Sequence, residues 1–129
     1  AGVCRLHVAQ ANQTGNMADK IPPMGVQPDG FFAESSGKVK DAVSIPVSTV
    51  GRIISPAMAE QILASGKADM VGIGRGLLAD PDWTNKAAAG KSCDIRECIP
   101  CNMGRTDKIQ HREFMSCILH AENGYEGTR

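Results

Sequence analysis

A chain of 129 residues with 14 basic and 14 acidic side chains carries no formal net charge, which leaves no electrostatic basis for binding nucleic acid or an anionic membrane. Hydrophobic residues make up 42% and aromatic ones only 4%, so one domain with a modest aliphatic core is expected. No apolar run approaches the roughly 18 residues that cross a bilayer, and AGVCRLHVAQ has neither the basic start nor the long apolar stretch of a secretory leader.

In chain order, GVCRLHVA (2–9) alternates and ends in Val-Ala, which predicts a buried strand. Residues 10–32 are rich in Gly, Pro and Asn and predict a long loop, of the kind that is often functional or mobile. SSGKVKDAVS (35–44) predicts a short helix, and IPVSTVG (45–51) a β-branched strand closed by Gly51. SPAMAEQILASG (55–66) carries the clearest helix signals: Ser55 as cap, Pro56 in the first turn, Met58, Ile62 and Leu63 on one face, Gly66 as stop. ADMVGIG (68–74) predicts another strand, and GLLADPDWTNKAAAG (76–90) helical stretches broken at Pro81. Strands and helices alternating at this spacing imply parallel β-α units.

Two strand ends carry a shared chemical signal. TVGR (49–52) and GIGR (72–75) each place Gly-Arg directly after a buried strand. Glycine admits close backbone approach, the turn amides that follow point outward, and arginine adds a charged planar donor fork. Gly51, Arg52, Gly74 and Arg75 on consecutive parallel strands match the phosphate site made by the last two β-α loops of a (β/α)8 barrel. The plainer alternative is that both glycines only permit turns and both arginines are solvated.

The five cysteines are an odd number. Three of them, Cys98, Cys101 and Cys117, fall in CIPCNMGRTDKIQHREFMSC as C-x2-C-x15-C, which points to a metal in a reducing, cytoplasmic interior. With His120 the set becomes C-x2-C-x15-C-x2-H, a fit to a Cys3His zinc site. Cys93, at C-x4-C, is a second candidate for an additional ligand. Spacing does not separate zinc from iron–sulfur, and an empty, vestigial site is the third alternative. The other conspicuous residues take ordinary readings. His7 is expected to be packed or hydrogen-bonded, Cys4 a small buried hydrophobe, Trp83 a packing anchor, Asp82 a turn residue, and TDKIQHRE a solvated face. No Ser-His-Asp arrangement, P-loop or catalytic carboxylate pair is found, and no catalytic residue is assigned.

IPVSTVGRI, then SPAMAEQILASGKADMVGIGRGLLADPDW, then CIPCN with a later Cys117, resembles the C-terminal end of an Old Yellow Enzyme-like NADH:flavin oxidoreductase. The similarity is to the iron–sulfur branch, which includes 2,4-dienoyl-CoA reductase, trimethylamine dehydrogenase and the bile-acid enoate reductases. It is ordered over residues 45–104 and weaker over 1–44. The resemblance implies an α/β fold, about the last three β-α units of a TIM barrel over residues 1–90, with a cysteine-bearing tail over 91–129. It implies FMN held at its phosphate end by Gly51, Arg52, Gly74 and Arg75, and a 4Fe-4S cluster on Cys98, Cys101 and Cys117. Arg105 departs from the pattern, because the family has its remaining cysteine there and a guanidinium cannot replace a thiolate.

The resemblance places Ala1 at the sixth strand of such a barrel. Three β-α units cannot close an eight-stranded barrel, and they leave open parallel edges. The expectation is therefore a part of an FMN-dependent enoate or dienoyl-CoA reductase, inactive by itself. It would pair with the remainder of a barrel or with a second copy through an apolar sheet face. The alternative is a non-catalytic remnant that serves as a binding or oligomerisation module.

Overall fold

The computed structural model describes residues 2–9, 25, 27–125 and 127. Three short strands, β1 (Leu6–Val8), β2 (Val47–Thr49) and β3 (Met70–Val71), form a parallel sheet in sequence order. His7 lies beside Ser48, and Ser48 beside Met70. Helix α1 (Ala33–Ala42) joins β1 to β2, and α2 (Pro56–Ala64) joins β2 to β3. After β3 come α3 (Arg75–Ala79) and α4 (Trp83–Ala88), separated at Pro81 as the sequence implied. The tail holds a 3-10 turn (Ser92–Asp94), a π-type turn (Met103–Asp107) and the short α5 (Lys108–Gln110). Most of the predicted 10–32 loop lies outside the described residues.

Helix α2 forms where its signals said it would. The Ser55 hydroxyl accepts from the Met58 amide at 3.3 Å, and Pro56 occupies the first turn, where its missing N–H costs nothing. Its buried Ala59 and Ile62 join Ala33, Ile53, Ala68, Trp83 and Ile95 in one core, with Met58, Val71 and Ile73 packed against it. Parallel crossovers put helices on the sheet face that carries Val71. Asp69 fastens the entry to β3: one carboxylate oxygen accepts the Val47 amide at 2.9 Å and the other pairs with Lys40.

Two expectations change. Cys4 is exposed, not a buried hydrophobe, because β1 begins only at Leu6 and residues 2–5 lie outside the sheet. The strands also do not run apolar on both faces. Because successive side chains alternate, the face opposite Val71 carries Met70, Ser48 and His7, and the His7 ring nitrogen shares a hydrogen bond with the Ser48 hydroxyl at 2.8 Å. Trp83, by contrast, is the buried anchor expected of it. No helix among the described residues is long and apolar enough to cross a membrane.

Candidate functional site

Parallel strands deliver all their C-terminal ends to one edge of the sheet, where ligands of open α/β sheets bind. At that edge the segments after β1, β2 and β3 enclose a cleft of about 240 Å3, lined among others by Gly51, Arg52, Gly74, Arg75, Cys98 and Arg105. The two Gly-Arg pairs, far apart in sequence, thus open onto one space. Among the described residues, no carboxylate lines it.

The two glycines serve different ends. Gly51 has φ +112°, and a Cβ there would sit 2.8 Å from Phe32 and 3.0 Å from Phe31. Its missing side chain makes room for that aromatic pair, whose ring centroids are 4.0 Å apart and which lines the same cleft. At Gly74 the Cβ direction is open space, so this is the turn whose backbone a ligand can approach closely.

The arginines also differ. Arg52 takes the left-handed conformation at φ +55°, which costs a non-glycine residue roughly 1 kcal/mol. Its side chain is only 8% exposed, with Nε 2.8 Å from an Asp29 carboxylate oxygen, and Nη1 donates to the Gln27 carbonyl at 2.7 Å. Arg52 therefore ties the 27–29 segment to the end of β2 as well as facing the cleft. Arg75 donates through Nη1 to the Asn102 side-chain oxygen at 2.7 Å, and Asn102 is itself left-handed, at φ +60°. Burial pulls the Arg75 guanidinium down from its ordinary value; nearby Cys98 opposes that pull, and the Arg105 and Arg52 charges add to it. Asn102 and Asp29 were not singled out from the sequence. Neither has a local pattern, and only the fold brings each to its arginine.

Cys98, Cys101 and Cys117 line one small pocket beneath the cleft, together with Arg105, Gly104 and Ser116. Burial pushes the Cys98 thiol up against the opposing influence of Arg75. His120 does not line this pocket: the backbone turns back at the Cys117–His120 bridge, and its Nδ1 lies 3.1 Å from the Leu78 carbonyl. Cys93 is exposed on the 3-10 turn and does not line it either. Among the described residues no group of three or more Cys, His, Asp or Glu side chains is arranged to hold a metal ion.

What brings Cys117 to the other two thiols is Gly104. Its carbonyl accepts from the Ser116 amide at 2.8 Å, and a Cβ at 104 would lie 1.9 Å from the Ser116 carbonyl oxygen. Gly104→Ala is expected to push the 116–117 segment off the 103–107 turn. Labelling of Cys117 by a thiol reagent should accelerate by about tenfold or more, since local opening governs access to a half-buried group. An unchanged rate, read by peptide mass, would show that the segment is held by other contacts.

A model of the NADH:flavin oxidoreductase / NADH oxidase family matches residues 9–94. The chain is 55% identical over 129 residues to a bilirubin reductase of Mediterraneibacter gnavus, covering 100% of this chain and 20% of that one. It is 44% identical over 129 residues to an NADH oxidase of Thermoanaerobacter brockii, covering 99% of this chain and 20% of that one. Among solved structures, the 6-hydroxypseudooxynicotine amine oxidase of Pseudomonas geniculata N1 superposes with a TM-score of 0.86 at 29% identity, over 96% of this chain and 18% of that one. The chain thus spans about a fifth of the length of these curated relatives.

Proposed function

From a chain that belongs to the NADH:flavin oxidoreductase / NADH oxidase family, we infer that its Gly51-Arg52 and Gly74-Arg75 turns hold the phosphate end of FMN in an oxidoreductase of the enoate-reductase type. The observation that carries this reading is that both turns open onto one cleft, with no carboxylate among its described lining residues. When bound, the flavin supplies hydride transfer to or from an organic substrate. This chain contributes anchorage. Arg75, held by Asn102, meets the phosphate with the charge of its planar guanidinium. The open side of Gly74 lets the oxygens reach the turn amides. Arg52, clamped by Asp29, holds the other lip of the cleft in place.

In this reading the three β-α units take places in a (β/α)8 barrel, whose phosphate sites lie at the C-terminal ends of the strands. The face bearing His7, Ser48 and Met70 is then covered by further β-α units or by a second copy. The aliphatic and aromatic side chains exposed on the tail, Ile99, Met103, Ile109, Phe114, Met115 and Ile118, are more apolar surface than a soluble tail ordinarily shows. They are the natural contact for that partner.

Arg75→Ala tests the reading. It should weaken inorganic phosphate and FMN by a similar factor, about tenfold to a hundredfold for a charge-assisted contact in a half-buried site, and leave riboflavin unaffected. Titration calorimetry with all three ligands separates the cases. FMN and riboflavin binding equally well would show that another surface holds the flavin and that the turns are bare.

A further inference from the structure

Aromatic side chains are scarce in this chain, three Phe, one Trp and one Tyr, and two of them, Phe31 and Phe32, line the cleft. A folded chain ordinarily buries such rings, as it does Trp83. Phe31 and Phe32 are outside that core, and each is partly exposed. The two rings lie against each other, with centroids 4.0 Å apart and planes tilted by 40°. They also lie against the backbone at Gly51, where a Cβ would come 3.0 Å from Phe31 and 2.8 Å from Phe32.

The pair is seated from both sides along the chain. Ahead of it, Arg52 grips the segment 27–30: its side chain meets the Gln27 carbonyl at 2.7 Å and the Asp29 carboxylate at 2.8 Å, and its own carbonyl accepts the Gly30 amide at 3.3 Å. Behind it, the Phe32 carbonyl accepts from the amide and the hydroxyl of buried Ser36, at 2.9 Å and 3.0 Å. Rings held this way lose little freedom when a ligand meets them. The cleft therefore has two chemically different sides. Toward β3, Gly74 and Arg75 offer a turn and a charge; toward β2, the two rings and Val50 offer an apolar surface. A ligand that suits both sides carries an anionic group at one end and a flat ring system at the other.

We propose that Phe31 and Phe32 form the wall of the cleft against which the flat ring system of the flavin packs while the Gly74-Arg75 turn holds its phosphate. This deepens the FMN reading above and rests on it. A second aromatic system meets such rings in offset-stacked or edge-to-face contact and buries apolar surface as it does so. Gly51 then makes the room that the wall occupies, and Arg52 ties down the chain that leads into it.

The test uses the full chain and three ligands, inorganic phosphate, FMN and riboflavin, in titration calorimetry. Phe31→Ala and Phe32→Ala should each weaken FMN and riboflavin by the same factor, about tenfold, and leave phosphate unmoved. That is the reverse of the pattern expected for Arg75→Ala, which spares riboflavin. The double variant Phe31→Leu/Phe32→Leu guards against misfolding, because it keeps apolar bulk and loses only the flat faces. It should melt close to the parent chain and still weaken both flavins about threefold or more. If the Phe variants bind FMN and riboflavin as the parent does, or riboflavin does not bind the parent at all, while Arg75→Ala weakens phosphate and FMN, the ring lies elsewhere: the proposal falls and the FMN reading stands. If the Phe variants weaken phosphate as much as the flavins, the pair only props the turns, and the proposal falls alone again. If the chain binds neither phosphate nor FMN, both fall.

Discussion

Asp80→Ala is expected to destabilise the chain by about 3 kcal/mol, a large share of the ~5–15 kcal/mol that holds a small domain together. The Asp80 side chain is 1% exposed and accepts from three directions: Lys86 Nζ at 2.6 Å, the Arg96 amide at 3.0 Å and the Asp82 amide at 3.1 Å. It stands at the end of α3, caps the turn into α4, and reaches the backbone two residues before Cys98. Alanine would strand two amides and the lysine in a closed space at once. Denaturant unfolding should show the midpoint fall with little change in slope. A loss below about 1 kcal/mol would mean that water replaces the carboxylate.

The same contacts give a pH signature. The Lys86 ammonium, then the Arg96 amide, lower the Asp80 carboxyl from its ordinary 3.8 to about 2. A carboxyl depressed on folding contributes stability that is fully present above 3.8 and is lost as pH falls through about 2. The difference corresponds to about 2 kcal/mol. Asp80→Asn should therefore flatten that part of the acid limb of the stability profile. An acid limb of the same steepness in the variant would place the titration elsewhere.

Trp83→Ala is expected to cost about 3–5 kcal/mol, the usual range for removing a buried aromatic ring. Trp83 is 5% exposed and joins the core drawn from α1, α2 and the segment after β2. Its indole N–H donates to the Ile54 carbonyl at 3.4 Å, which lies two residues beyond Arg52. The cavity would open directly under the first Gly-Arg turn, so FMN affinity should fall with stability. Trp83→Phe retains most of the packing and should lose only about 1 kcal/mol with the hydrogen bond. Equal losses in the two variants would assign the effect to the hydrogen bond and not to the ring.

The local elements were legible because their causes are local. Ser55, Pro56 and Gly66 act within one helical turn of where they stand, and capping, proline geometry and glycine stops need no knowledge of the rest of the chain. The break at Pro81 and the parallel order of the three strands follow from the same short-range signals plus the rule for β-α-β connections. Once the strands are parallel, their C-terminal ends must share an edge. That is why the Gly51-Arg52 and Gly74-Arg75 turns open onto one cleft.

The partners were not legible. Asp29 reaches Arg52 across 23 positions and Asn102 reaches Arg75 across 27. Asp80 looks like any residue of an Asp-Pro-Asp turn until the tail folds over it and closes it from water. Cys4 lost its expected burial because the sheet begins two residues later, and His120 faces the Leu78 carbonyl because of how the chain turns after Cys117. The sequence by itself determined which segments become strands and helices and which turns carry arginine, since those depend on neighbours within about four residues. Tertiary structure alone decided which charge meets which partner. Such pairings are set by through-space distances of a few ångströms between residues far apart in the chain, and Coulomb and hydrogen-bond energies fall away too steeply for any local pattern to record them.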